Sequence, residues 1–185
     1  MRKYLSCFLG IPLPNIYQPQ FEEITHFLKS LYPHFRTVKP ETPHVTLYYV
    51  GEQSYSNLQK LLKFAQQKTC LLSRQEVYIN GLGVFGSKHP RVAFMSTQVG
   101  QPVHMYAAHL RELFPIEEGI VFNPHFTLMR IHNAEARRAF LFHQDTIKQY
   151  LAKRTFIFPL TEIVLYVKTP RIANLAHKKF AIISI

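Results

Sequence analysis

The chain carries the pentapeptide PHVTL at Pro43–Leu47 and a near copy, PHFTL, at Pro124–Leu128. The valine, threonine, leucine and aromatic residues around both copies favour extended strands. Because side chains alternate between the two faces of a strand, the histidine and the threonine of one copy point the same way. They lie roughly 7 Å apart, since a strand rises about 3.3 Å per residue. Two such His-x-Thr pairs that face each other would bracket one phosphate.

The composition indicates a single globular domain. With 185 residues, of which 47% are hydrophobic and 14% aromatic, the chain can bury a core of its own, with two lobes. Its apolar runs are short and interrupted, so we expect no membrane span and no membrane partner. The basic and apolar residues 1–10 lead into Ile11–Pro14 instead of a small-residue cleavage site. This predicts a first strand and a cytoplasmic protein.

The net charge points to an anionic partner. The chain has 22 Lys and Arg residues against 11 Asp and Glu, a formal net charge of +11. Nucleic acid is the commonest partner of such a protein. The basic residues are scattered along the sequence and do not form one run. A basic surface that is merely solvated is therefore an open alternative.

No residue pattern indicates a metal or another cofactor. The two cysteines, Cys7 and Cys70, lack the Cys-x-x-Cys spacing of zinc and redox sites, so we expect buried free thiols. The other eight histidines lack both a partner threonine and metal-ligand spacing. We interpret these as surface or packing residues: His26, His34, His89, His104, His109, His132, His143 and His177.

The predicted secondary structure occurs in the same order twice. The first half contains a strand at about 3–11, a helix over Pro19–Tyr32, the first His-x-Thr strand to about Val50, a helix capped by Ser54 or Ser56, and a strand over Gln75–Val84. A turn at Phe85–Pro90 follows. The second half contains a strand over Arg91–Gln98, a helix over Pro102–Phe114, the second His-x-Thr strand over Phe122–Arg130, a helix capped by Asn133, and a strand over Thr155–Val167. One more strand is predicted at Phe180–Ile185.

This duplication predicts an α+β fold with two lobes. Pseudo-twofold related antiparallel sheets, with helices outside, would surround a central cleft where the repeated strands meet. Residues 1–185 would form one domain, with lobes built from the halves at about 1–88 and 89–185.

The sequence around both pentapeptides resembles the two-histidine (2H) phosphoesterase superfamily. Within it, the bacterial and archaeal RNA 2',3'-cyclic phosphodiesterases, or 2'-5' RNA ligase-like group, are the most similar. His44–Gly51, HVTLYYVG, looks like the group's His-x-Thr-Leu-x-Phe-Leu-Gly, and Pro124–Arg130, PHFTLMR, is similar to its Pro-His-x-Thr-Leu-x-Arg. The resemblance covers essentially the whole chain. Tyr49 departs from it, because the group usually has phenylalanine there; the tyrosine keeps a stacking surface and adds a hydroxyl.

Histidine chemistry supports the same hypothesis. Opening a cyclic phosphate with water requires a base for the water proton, an acid for the departing ribose oxygen and donors for the phosphate oxygens. His44 and His125 can serve as base and acid, one neutral and one protonated, and the assignment between them is open. The hydroxyls of Thr46 and Thr127 can donate to phosphate oxygens, and Arg130 can neutralise their charge. No metal is required.

Two of these residues have a second interpretation. Arg130 could be a surface arginine at the end of its strand. Tyr49 has the opposite phase to His44 in an ideal strand, so it reaches the cleft only if the strand twists or bulges. Otherwise Tyr49 packs in the core.

We therefore expect a monomeric, metal-independent enzyme that hydrolyses RNA 2',3'-cyclic phosphate ends to 2'-phosphates, with 2'-5' RNA ligation as a side activity. Its partner would be RNA or a small nucleotide with a cyclic phosphate or a 2'-5' linkage. One alternative is a 2'-5' phosphodiesterase that acts on oligoadenylate or on a cyclic oligonucleotide signal. Another is an RNA-binding module without catalysis, although such a module has no use for two titrating imidazoles.

Overall fold

The computed structural model describes residues 3–39, 42–86, 88–114, 123–168 and 178–185. These residues form one nine-stranded antiparallel sheet and four α-helices. The strands are β1 (Lys3–Pro12), β2 (Arg36–Thr37), β3 (His44–Ser54), β4 (Glu76–Phe85), β5 (Val92–Val99), β6 (His125–Arg130), β7 (Thr155–Pro159), β8 (Glu162–Lys168) and β9 (Lys178–Ser184). The helices are α1 (Gln18–Leu31), α2 (Tyr55–Gln67), α3 (Gln101–Leu113) and α4 (Ala134–Ala152).

The two His-x-Thr strands, β3 and β6, are neighbours in the middle of the sheet. The strand order is β7-β4-β5-β6-β3-β1-β8-β9, and the short β2 lies beside β6. Helix α4 packs on β4, α1 packs against α4 and β2, and α2 and α3 pack on β3. The expected α+β fold, with two lobes and outer helices, is confirmed.

The strand order corrects the expected division of the lobes. We expected each half of the chain, about 1–88 and 89–185, to build one lobe. Instead β4, from the first half, lies between β5 and β7 of the second half, and β8 and β9 extend the sheet beyond β1. A short turn joins β4 to β5, and strands joined in this way pair antiparallel with each other. Each lobe therefore contains strands from both halves of the chain, an arrangement that we call the exchange of strands.

Most predicted elements and both helix caps are confirmed. Ser54 Oγ accepts a hydrogen bond from the Asn57 amide at 3.2 Å, and Asn133 Oδ1 accepts one from the Ala136 amide at 2.8 Å. These side chains occupy backbone donors that the first helical turn leaves unpaired. No helix in the described ranges is both long and apolar enough to cross a membrane.

Three local expectations are corrected. The predicted strand Thr155–Val167 is two strands. One of them, β7, pairs with β4, whereas β8 pairs with β1 in the opposite half of the sheet. The two-residue strand β2 was not predicted at all. Of the two cysteines expected to be buried, Cys7 is buried, but Cys70 is exposed, in a short 3-10 helix after α2.

The sheet has one face in the main core and one face that carries the polar side chains. Along β6, Phe126 and Leu128 are fully buried, whereas His125 and Thr127 are only partly buried. The same alternation occurs in β3. A small apolar cluster, separate from the main core, consists of Phe8, Val164 and Tyr166. This second cluster lies on the face of the histidines, because Phe8 and Tyr166 contact the His44 ring.

Candidate active site

Strands β3 and β6 meet at a single recorded pair, Val45 with Phe126. Both side chains point into the core, where each is at most 1% exposed. Their immediate neighbours along both strands therefore face the opposite side of the sheet.

The antiparallel register brings the four pentapeptide residues together. Because Val45 pairs with Phe126, His44 lies across from Thr127, and Thr46 lies across from His125. All four side chains are partly buried and share one face. We call these four residues the His–Thr quartet. Each histidine thus has a threonine on its own strand and a threonine directly across the strand pair.

Each histidine ring is held by a backbone carbonyl two residues earlier. His44 Nδ1 lies 2.7 Å from the oxygen of Thr42, and His125 Nδ1 lies 2.8 Å from the oxygen of Asn123. A carbonyl oxygen can only accept a hydrogen bond, so Nδ1 carries a hydrogen in both rings. Nε2 is then the nitrogen that gains or loses the proton. This contact appears in both copies of the pentapeptide and fixes the same tautomer twice.

Aromatic rings support the His44 imidazole. Phe8 stacks on it, with centroids 4.6 Å apart and planes at 27°, and Tyr166 lies at 5.0 Å and 31°. Gly10 leaves room for this arrangement. A Cβ at this position would come 3.2 Å from Tyr166 Cε2 and 3.3 Å from His44 Cδ2, tighter than most real contacts. The two supporting rings and the glycine hold His44 in one orientation.

The His125 imidazole has a matching support made of two phenylalanines. Its ring meets the edge of Phe85 at 4.8 Å and 84°, and that of Phe94 at 5.4 Å and 64°. A Cβ at Gly83 would overlap the Phe94 ring, so this glycine makes space for it. Sequence reasoning missed this aromatic support, because single aromatic residues in strands are also typical of ordinary cores.

Burial lowers the pKa of His125 below its usual value. The hydrogen bond to the Asn123 carbonyl opposes this effect, and the positive charge of Arg130 adds to it. Desolvation and a like charge both disfavour the imidazolium form. His125 is therefore biased towards the neutral form near pH 7.

A β-bulge places Tyr49 on the face of the quartet. Between Thr46 and Tyr48, β3 contains one more residue than the stretch of β1 with which it pairs. As a result Leu47 and Tyr48 are both buried, and the alternation shifts so that Tyr49 points outward, 47% exposed. Its cross-strand partner is Phe8, which stacks on the first histidine. Tyr49 therefore reaches the cleft through a bulge in its strand, one of the two conditions expected for it.

A second bulge does the same for Arg130. Between Thr127 and Met129, β6 contains one more residue than the paired stretch of β5. Leu128 and Met129 are both fully buried, and Arg130 is exposed on the face of Thr127. Tyr49 and Arg130 each follow the histidine of their strand by the same number of residues. The structure thus brings all six predicted site residues to one face.

Within the described ranges, no three His, Cys, Asp or Glu side chains lie close enough together to hold a metal ion.

Comparison with known proteins identifies the family. The model of the 2'-5' RNA ligase superfamily matches residues 12–170, which is most of the chain. The chain belongs to the 2'-5' RNA ligase superfamily. Members of this superfamily, the 2H phosphoesterases, are phosphoesterases and ligases, so membership supports an enzyme with phosphoesterase-type activity on RNA. No curated protein sequence matches the chain at a significant level.

Solved structures share the fold over nearly the whole chain. TT0787 of Thermus thermophilus is 19% identical, with a TM-score of 0.71 and 97% of each chain covered. E. coli LigT complexed with ATP is 18% identical, with a TM-score of 0.67, covering 100% of this chain and 99% of LigT. Usb1 of Kluyveromyces marxianus is 13% identical, with a TM-score of 0.53, covering 98% of this chain and 99% of Usb1. At these identities the likeness shows the superfamily fold.

Proposed function

We propose that this protein is a metal-independent RNA 2',3'-cyclic phosphodiesterase that opens the cyclic phosphate to a 2'-phosphate. The observation that carries the proposal is the His–Thr quartet, in which the register of β3 and β6 sets two imidazoles and two hydroxyls on one face. The nucleotide complex of E. coli LigT, a protein of the same fold, supports a ligand of this class.

The reaction is an in-line displacement at phosphorus. A water oxygen forms a bond to phosphorus, and the bond between phosphorus and the ribose O3' breaks, which leaves a 2'-phosphate. Nε2 of one histidine removes the water proton, and Nε2 of the other donates a proton to O3'. The lowered pKa of His125 supports its role as the base, with His44 as the acid. After turnover, the base releases its proton to solvent and the acid takes one up, which restores both rings.

The remaining site residues bind the substrate in this proposal. Thr46 and Thr127 donate hydrogen bonds to the non-bridging phosphate oxygens, one from each strand. Arg130 neutralises the charge that these oxygens carry. Tyr49, with its exposed ring at the other end of the site, stacks on the terminal base. Ligation to a 2'-5' linkage would be the same displacement with a ribose 5'-hydroxyl in place of water.

The decisive experiment uses an RNA that ends in a 2',3'-cyclic phosphate. Phosphorus NMR and mass spectrometry of the products identify the phosphomonoester. The proposal expects a 2'-phosphate. A 3'-phosphate would show that O2', and not O3', is the leaving group. A cyclic phosphate that remains intact would show that the protein does not catalyse this reaction. A parallel reaction with 2'-5'-linked oligoadenylate tests the alternative phosphodiesterase, which would cleave this substrate faster.

A further inference from the structure

The short strand β2 places a second arginine beside the site. Arg36 pairs directly with Arg130, and Thr37 pairs with Met129. Residues directly opposite in an antiparallel pair share a face, with Cβ atoms about 4.5–5.5 Å apart. Because the bulge in β6 turns Arg130 to the face of the quartet, Arg36 lies on that face as well.

The backbone around Arg36 is held in place. Phe35, the residue before it, is 3% exposed and belongs to the main core. Two residues after it, the amide of Val38 donates to the carbonyl of Leu128 at 2.8 Å. The position of Arg36 is therefore fixed on both sides by packing and by hydrogen bonding to β6.

Arg36 and Arg130 are direct neighbours across the pair of strands, and no carboxylate of the described residues pairs with either side chain. Both arginines are exposed, and the described residues provide no ion pair or hydrogen bond to either side chain. Like charges directly opposite each other on a sheet are destabilising. An anion bound between the two groups would turn this repulsion into attraction, because a guanidinium binds phosphate oxygens through its planar fork.

The arginine pair adjoins the quartet and extends beyond it. Arg130 follows Thr127 by three residues, which is about 10 Å at the rise of a strand. Its charge nevertheless reaches His125, whose pKa it lowers. At the other end of the site the equivalent position is Tyr49, an exposed aromatic ring. One end of the site thus suits a base, and the other suits more than one phosphate.

We propose that Arg36 and Arg130 form an anion subsite for the phosphodiester on the 5' side of the terminal nucleotide. The substrate class is then an oligonucleotide with at least one phosphodiester besides the cyclic phosphate. The terminal base lies towards Tyr49, and the RNA chain leaves the site over the two arginines. This inference rests on the proposed cyclic phosphodiesterase activity and specifies its substrate.

The test compares a mononucleoside 2',3'-cyclic phosphate with a short RNA that ends in the same group. Arg36→Gln should raise KM for the RNA about tenfold, because it removes one charge-assisted contact to a phosphate. KM for the mononucleotide should change less than twofold. The slope of log KM against log salt for the RNA should fall by about 0.7, since one fewer phosphate is neutralised. Arg36→Lys keeps the charge, so it should preserve this slope.

Lys63→Gln is the matched control. Lys63 is exposed on α2, which packs on the core face of the sheet, and its substitution removes one positive charge in the same way. KM for the RNA should remain near the wild-type value in this variant. The subsite would be overturned if Arg36→Gln raised KM equally for both substrates. It would also be overturned if Lys63→Gln raised KM for the RNA as much as Arg36→Gln does. If the wild-type protein opens neither substrate, the proposed function itself fails; if it opens both and Arg36→Gln affects neither, only the subsite fails.

Discussion

His44 and Thr127 lie directly across from each other where β3 and β6 pair, although they are far apart in sequence. Each half of the site is therefore a composite of both pentapeptides. A substitution in one pentapeptide should impair the proton transfer by the histidine of the other.

Replacing either histidine should nearly abolish turnover. His44→Asn and His125→Asn should each lower kcat on the cyclic phosphate by on the order of 10²–10⁴, the usual contribution of one acid or base. Thermal unfolding of both variants checks that the fold is intact. His26→Asn, at an exposed position of α1, is the control and should retain wild-type turnover. Full activity of either active-site variant would rule out the two-histidine mechanism.

The threonine across the strand pair should be coupled to the histidine. Thr127→Val keeps the shape of the side chain and removes the hydroxyl, so kcat/KM should fall by about 10–100-fold, less than for a histidine. In the His44→Asn background the same change should have a smaller effect, because Thr127 orients the phosphate for a protonation of O3' by His44 that is already absent. Single and double variants are compared by steady-state kinetics. Fully additive effects would show that Thr127 and His44 act independently.

The acid limb of the pH profile should lie below the usual pKa of histidine. Burial and the charge of Arg130 lower the pKa of His125 from 6.5, so the base stays neutral, and kcat stays high, below pH 6.5. Activity is lost only as pH falls through this lowered pKa. Arg130→Gln removes one of the two causes and should move the limb to higher pH. A limb that moves the other way would contradict the electrostatic contact between Arg130 and His125.

Tyr166→Phe should stabilise the protein. The phenol oxygen of Tyr166 is buried without a hydrogen-bond partner in the described part of the chain, and burial raises its pKa to about 12, so it stays protonated. An unpaired buried hydroxyl costs about 1–3 kcal/mol. Removing it should raise the free energy of unfolding by about 1 kcal/mol in urea denaturation.

Tyr106→Phe should have the opposite effect on the free energy of unfolding in urea denaturation. Tyr106 is also fully buried, but its hydroxyl donates to the carbonyl of Ala65 at 3.0 Å. Loss of the hydroxyl removes this hydrogen bond and should lower the free energy of unfolding by about 1 kcal/mol. If both substitutions destabilise equally, the Tyr166 hydroxyl has a partner in the folded protein.

Gly83→Ala should disturb His125 through Phe94. The new Cβ would overlap the Phe94 ring, and overpacking of this kind costs about 1–3 kcal/mol. Because Phe94 contacts the His125 imidazole, kcat should fall together with stability. Phe94→Leu makes room at this point, so Gly83→Ala should cost less in that background. Equal costs in both backgrounds, measured by thermal unfolding, would contradict the steric explanation.

The sequence predicted the quartet because the repeated pentapeptide fixes residue type, phase and order at once. It could not place Tyr49 and Arg130, since the bulges that turn them outward arise where β3 pairs with β1 and β6 with β5. Register between distant strands is a property of the whole sheet and not of any local pattern. The exchange of strands between the lobes escaped prediction for the same reason. Strand β2 was missed because two residues carry no periodicity.

The exchange of strands bears on the ancestry of the chain. A half-length chain that ended after β4 would lack the strands that pair with β4 in the sheet, β5 and β7. It could complete its sheet only by pairing β4 with β1 of a second copy, the counterpart of β5, as domain-swapped dimers do. Fusion of two such copies through the short turn between β4 and β5 would give the strand order of this protein. The cleft would then have existed first at the twofold axis of a dimer, with two identical His-x-Thr strands, before the two copies diverged at Tyr49 and Arg130.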